Sequence, residues 1–558
     1  MFAEIVFRGG ALFSEGQVSV APVAVGDGRV LSVGEVDELV GPATEVVDTT
    51  GRMVIPAFHD AHVHPVWGGL ELMRCNLSGL PGKAEYRAAI AGYARAHPDR
   101  AWVTGGGWAM SAFPAGTPRA RDLDDIVPDR PVLLHNADHH GAWVNTAALT
   151  IAGITKHTPD PPDGRIERDD DGIPTGMLHE GAVTLVSRLL PPTDASVYIE
   201  ALRQAQAHLH AFGIAGWQDA IVGDYGGYAD PLPAYRSFAT SGLLTARVCG
   251  ALWWDRTRGV EQIASLVDRR TELPNFTTPH VKIMLDGVCE NFTAAMSSPY
   301  LGEGHGSGLP FIDFAELPGI VKALAEAGFG VHYHAIGDAS VTAALDAISA
   351  LPSHLAPVPA APAAFPPSAP PAAFSAPQMA SGMRRNTRHQ IAHLQVVKPS
   401  DIRRFGELGV IANMQALWGS HDDQLDTLVI PMLGPERAQW FYPFGDFARA
   451  GAPLACGSDW PVSSANPWDA IHVAVNRSYV DTEPLLPHQK LDLATVLTAY
   501  TRGSALANGF ADTGTIRPGF VADLAVIDRD PFPLPVEELK HTSVLQTYAR
   551  GRLVHSAI

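Results

Sequence analysis

Three observations predict an α/β fold: a TIM (β/α)8 barrel with a small β-sandwich domain built from both chain ends and a subdomain inserted at the barrel mouth. Apolar runs of strand length alternate with helical patterns through the middle of the 558-residue chain, and eight such runs can be counted. Both ends of the chain are rich in short β-like segments set off by glycine turns. Polar side chains fall at the C-terminal ends of several central runs, which is where barrel enzymes gather their chemistry.

The elements follow in order. Residues 1–55 hold Glu4-Ile5-Val6-Phe7 and Val18-Ser19-Val20, and residues 510–558 hold the turn Gly514-Thr515-Ile516-Arg517-Pro518-Gly519 and two strand-like stretches, 522–528 and 545–554. Neither end is long enough for a good domain, so the two are expected to combine into one sandwich beside a barrel spanning 56–509. The first barrel strand is expected in the apolar run that begins at Val54 and ends in His62 and His64. Seven more are expected at 213–219, 246–252, 280–286, 330–334, 389–393, 409–414 and 453–459. Between two of them lies a helix with Pro318 suited to its first turn and Gly328 to its end.

Two stretches are too long for a simple crossover. Residues from about 68 to 200 carry strand-like runs at 102–108 and 131–134 and read as a subdomain over the barrel mouth. Residues from about 352 to 382 are rich in Pro and Ala and read as a polyproline-like loop. That loop follows a helix and precedes a strand, so it belongs at the barrel face opposite the chemistry.

Composition narrows the function classes. With 46% hydrophobic and 18% charged residues the chain can bury an ample core. A formal net charge of −19 argues against a nucleic-acid or anionic-membrane partner. The first ten residues lack the basic-then-apolar pattern of a signal peptide, and no apolar run is long enough to span a bilayer. Cys75, Cys249, Cys289 and Cys456 are scattered and form no Cys-x-x-Cys pair, so a reducing, cytoplasmic setting is expected. Homo-oligomerisation is left open, and a small-molecule substrate is expected.

His62 and His64 carry the chemical signal. In an extended chain residues i and i+2 share a side, so both imidazoles can reach one metal ion, with His59 on the opposite side. On its own the pair also fits two polar residues at a strand-to-loop junction, in a chain with 23 His. Other strand ends bear on the choice. Lys282 sits inside an apolar strand between Val281 and Ile283, His334 ends the fifth run, His393 the sixth and Asp459 the eighth. Lys282 also fits an ordinary strand lysine pairing with Asp286 or Glu290.

With these residues in view the chain resembles the amidohydrolase superfamily, within the branch containing N-substituted formamide deformylase and related amide hydrolases. The resemblance is carried by His62-Val63-His64-Pro65, Lys282-Ile283-Met284-Leu285-Asp286-Gly287, His334-Ala335-Ile336-Gly337-Asp338, Arg388-His389-Gln390-Ile391-Ala392-His393 and Gly457-Ser458-Asp459-Trp460-Pro461-Val462, in order. It implies a divalent metal cofactor, with zinc the expected ion, in one or two copies. His62, His64 and Asp459 would bind the first ion, and His334 and His393 the second. Lys282, as a carbamate, would bridge them in a binuclear centre. Asp459 would also carry the catalytic proton. The family's sixth-strand motif has Glu before its His where this chain has Ala392, which removes a contact beside the second metal position. His140, Trp108 and Trp418 are the substrate-binding candidates, His140 from the motif Asp138-His139-His140-Gly141-Ala142-Trp143-Val144-Asn145. The implied reaction is hydrolysis of a non-peptide C–N bond, an amide or N-substituted formamide, by metal-activated water. A deaminase or cyclic-amide hydrolase on the same scaffold, and a non-catalytic scaffold or binding protein, are the alternatives.

Overall fold

Eight parallel strands form the barrel: β1 (Phe58–Val63), β2 (Ile214–Val222), β3 (Arg247–Trp253), β4 (Phe276–Met284), β5 (Gly330–Ala335), β6 (Gln390–His393), β7 (Ile411–Met414) and β8 (Leu454–Cys456). The computed structural model describes residues 2–302, 306–357, 388–479 and 482–558. Each strand pairs with its sequence neighbour along the sheet from β1 to β8. The seam between β8 and β1 is closed beyond the ladder, where Asp459 N–H donates to the His62 carbonyl at 2.7 Å and His64 N–H to the Trp460 carbonyl at 2.8 Å. Gly457 is required there, because a Cβ at this position would lie 2.6 Å from His62 N and Cβ. The closing hydrogen bonds therefore join two of the segments expected to carry metal ligands.

The apolar run leading to His62 is two strands, not one. Met53–Pro56 pairs with Leu524–Ile527 and Ala11–Ser14 in a six-stranded sheet made from both chain ends, and β1 begins at Phe58. The change of sheet takes one residue. Ala57 N–H donates to Asp523 O in the terminal sheet, and Phe58 N–H donates to Gly213 O in the barrel. Pro56 has no N–H to continue a ladder, which suits the end of a strand. A second, four-stranded sheet packs on the first, and their shared core holds Ile5, Phe7, Leu12, Val25, Val54 and Leu524.

Between β1 and β2 the chain builds a six-stranded mixed sheet ordered Gly164–Arg168, Pro174–Glu180, Gly141–Val144, Val132–Asn136, Val103–Trp108 and Cys75–Asn76. It rises from the C-terminal end of β1, after the helix Pro65–Leu72, and so stands at the end of the barrel where His62 and His64 lie. Of the Pro/Ala-rich loop expected at about 352–382, residues 358–382 lie outside the described residues. The helix Asp338–Ser349 precedes that stretch and β6 follows it. Among the described residues, no helix is long and apolar enough to cross a membrane.

Candidate metal centre

The ends of β1, β4, β5 and β6 and the segment after β8 converge on one cavity of about 50 Å³, lined by His62, His64, Lys282, His334, His393 and Asp459. His62 and His64 each approach Asp459 Oδ1 through Nε2, at 3.4 and 3.0 Å. Candidate ligand atoms of this trio all lie within 4.8 Å of one another. His393 Nδ1 is 3.8 Å from Asp459 Oδ2, and the His334 and His393 rings are 4.4 Å apart between centroids. His334 Nε2 is 3.3 Å from the Gly287 carbonyl, which leaves its other nitrogen for the cavity.

The backbone is bent to bring these groups together. His393 and Asp459 have φ of 78° and 56°, in the left-handed region that non-glycine residues avoid. Hydrogen bonds hold the bends. Asp60 Oδ1 accepts from the N–H groups of His62 and Ser458, so one carboxylate spans both sides of the barrel seam. Gln415 Oε1 accepts from His393 N–H at 2.6 Å. The Asp286 carboxylate accepts from Ile336, Gly337 and Ala295 N–H and so ties the loop after β4 to the one after β5.

The charge states suit a cation. Burial holds the His62, His334 and His393 imidazoles well below the ordinary histidine range, with nearby positive charge adding to the effect. Neutral imidazoles are the form that binds metal. Burial raises Asp459, but the close approach of His64, together with the charges of His393 and Lys282, outweighs this and leaves its carboxyl below the usual range. Lys282 is 2% exposed and makes no ion pair or hydrogen bond among the described residues. Burial pulls its ammonium down to about 7, against the opposing pull of Asp459.

A test of fit is whether the donor atoms are already used. His62 Nε2, both ring nitrogens of His393 and Asp459 Oδ1 are buried without a hydrogen-bond partner. Leaving such atoms unpaired costs about 1–3 kcal/mol each. Divalent cations held here would take His62 Nε2, one of the two His393 nitrogens and Asp459 Oδ1, since an imidazole offers a given ion only one nitrogen.

The amidohydrolase family pattern matches residues 45–555. The chain belongs to the amidohydrolase family. It is 29% identical to YtcJ of Bacillus subtilis over 99% of both chains, and 26% identical to N-substituted formamide deformylase of Arthrobacter pascens over 95% of this chain and 94% of that one. Its fold is similar to that of an uncharacterized metal-dependent hydrolase of Pyrococcus horikoshii, with a TM-score of 0.71 and 23% identity over 95% of this chain and 99% of the other.

In this amidohydrolase the substrate-binding candidates separate. His140 and Trp418 line the metal cavity, and the Trp418 ring stacks on His393 at 5.4 Å. Trp108 does not join them. It is fully buried in the inserted subdomain between Phe113 and Trp143, and its Nε1–H donates to Leu134 O. Strand alternation turns this indole into the apolar core of the inserted sheet. Lys282 is not paired with Asp286 or Glu290 among the described residues: Asp286 accepts from backbone N–H groups, and Glu290 Oε1 accepts from Gln424 at 2.6 Å.

Three further groups serve the site. His332 Nε2 lies 2.7 Å from His62 Nδ1, a contact that takes up Nδ1 and leaves His62 Nε2 toward the cavity. The i, i+2 spacing of His332 and His334 was the available signal. Glu180 holds His140 Nδ1 at 2.9 Å, and Glu71 lies 2.9 Å from His139 Nε2. Neither glutamate stands at a telling spacing in the sequence, since each comes from a different element. Burial alone would lower His140, but the Glu180 charge raises it to about 9.

Proposed function

We propose that this amidohydrolase cleaves a non-peptide C–N bond, an amide or N-substituted formamide of a small molecule, with a divalent metal held at the barrel mouth. The observation that carries the reading is the buried trio His62, His64 and Asp459, with candidate ligand atoms within 4.8 Å of one another and donor atoms left unpaired. The relative named N-substituted formamide deformylase supports the bond type. His62, His64 and Asp459 would hold the first ion. His334 and His393 would hold a second, and Lys282 as a carbamate would join the two. A lysine held near 7 by burial has the free amine that carbamate formation requires. When bound, a divalent ion such as zinc supplies Lewis acidity and lowers the pKa of water toward about 7.

The chain's own groups do the rest. Asp459, kept ionised by His64, accepts a proton from the attacking water and delivers it to the departing nitrogen. His140, fixed by Glu180, and Trp418 contact the substrate around the scissile group. Trp67, stacked on His64 at 4.3 Å, closes the other wall and excludes bulk water. A cavity of about 50 Å³ accepts the scissile group alone, so the arms of the substrate extend into adjoining space.

The test is a screen of N-acyl and N-formyl amines on metal-reconstituted protein, with amine, acid and ammonia all measured. Formate or another acid with an equal amount of amine is expected, lost on chelation and restored by divalent ion. Ammonia release would replace the reading with deamination. Absence of both turnover and tightly held metal would leave a binding protein.

A further inference from the structure

The small metal cavity opens past Asp138, Val288, Ile336, Trp418 and Val462 into a second cavity of about 670 Å³, which shares these five residues as walls. Two features set this second space apart. Its charged lining is acidic: Asp138 and Glu290 stand on the inner side and the exposed Asp422, Asp423 and Asp426 on the rim, while no Lys or Arg lines it among the described residues. Its one histidine, His421, is paired to Asp426 at 2.6 Å.

The second feature is independent of charge. Gln395, Ser420 and Tyr442 line the same cavity and are 5%, 5% and 3% exposed. Their side-chain amide and hydroxyl groups have no hydrogen-bond partner among the described residues, and these polar ends open onto the cavity. Polar groups this deeply placed are ordinarily hydrogen-bonded. Glu290 adds to them. Gln424 donates to its Oε1, and its Oε2 is buried without a partner. A cavity walled by carboxylates and unpaired hydrogen-bonding groups, joined directly to the scissile-bond position, is built for a polar, positively charged arm.

We infer that this cavity is the subsite for a substrate arm bearing an ammonium or similar cationic nitrogen, so that the preferred amides are those of diamines and related polycationic amines. The inference rests on the amide-hydrolase reading and names its substrate class. A cation beside Glu290 also relieves the cost of a buried carboxyl, which burial lifts to about 7. The same field repels a carboxylate arm.

The experiment compares three substrates of equal length on the metal-loaded full chain: a monoformylated α,ω-diamine, a neutral N-formylalkylamine and an N-formyl-ω-amino acid. The diamine derivative is expected to exceed the neutral amide in kcat/KM by about tenfold or more, mainly through KM, and the acid derivative to fall below it. Glu290→Gln and Gln395→Leu should each reduce that preference and leave kcat on the neutral amide unchanged. Equal kcat/KM for all three would overturn the subsite and leave amide hydrolysis standing. Should none of the three be hydrolysed, the amide-hydrolase reading fails and calorimetric binding decides the subsite separately. The free diamine binding more tightly than the matching alkylamine, with the difference lost in Glu290→Gln, supports it; equal or absent binding overturns it.

Discussion

The barrel interior and the terminal β-sandwich are built from the same kind of buried strand, yet they are filled with opposite chemistry. The sandwich core is aliphatic and aromatic, with Phe7 packed edge-on against Tyr548 at 5.0 Å. The barrel carries histidines, a lysine and carboxylates at its mouth. Deeper down it holds an amide network, in which Gln390 donates to Gln218 at 2.6 Å and Asn413 to Gln390 at 2.8 Å. Apolar burial stabilises at about 25 cal/mol per Å², whereas buried polar groups cost free energy unless each finds a partner. The sandwich thus stabilises the chain through its packing, while the barrel mouth retains unpaired ligand atoms on His393 and Asp459 that packing alone does not account for.

Substitutions at the two places should therefore fail in different ways. The largest effect is expected at Asp459. Asp459→Asn should lower kcat by about 10²–10⁴-fold, the range for loss of a positioned proton carrier, with the circular dichroism spectrum retained. Activity near wild type would remove Asp459 from that role. In the sandwich, Phe7→Ala should cost about 3–5 kcal/mol of stability, read by denaturant unfolding, with kcat per folded molecule unchanged. A matching fall in kcat would show that the two regions are not separable. His332→Asn lies between the extremes. It removes the partner of His62 Nδ1 and should weaken metal affinity by about 10–100-fold, measured by competition with a chelator, with little change in melting temperature once metal is saturating.

The smallest effect is a pH dependence. The folded pKa of His140, raised to about 9, lies above the ordinary value of 6.5, so its pairing with Glu180 stabilises fully below 6.5 and is lost as pH rises through about 9. Glu180 is shifted the other way: burial opposes ionisation but His140 outweighs it, so its contribution is present above 4.5 and fades as pH falls through its lowered value. Glu180→Gln should flatten the alkaline fall in unfolding free energy. An unchanged profile would assign that fall to other groups.

How much of this was legible in the sequence depended on range. The barrel strands were readable because each is a local apolar run; His62, His64, Lys282, His334, His393 and Asp459 could be placed on or just beyond barrel strands, which meet at one end of a closed barrel, while their metal-binding roles came from the resemblance to amidohydrolases. The run beginning at Val54 misled, because an apolar stretch does not say which sheet it joins; a one-residue switch at Ala57 decided that. Trp108 misled for a related reason. An aromatic on a strand reads alike whether it faces a ligand or a core, and only packing against Phe113 and Trp143 chose.

The parallel barrel and the order of the polar residues along its strands were written in the sequence, since these depend on periodicity and position within short segments. Tertiary structure alone decided which groups meet across hundreds of residues: Glu180 on His140, His332 behind His62, and Gln395, Tyr442 and Glu290 around a cavity joined to the metal site. Strand periodicity is written residue by residue, whereas the wall of a cavity is assembled from side chains that share no local pattern.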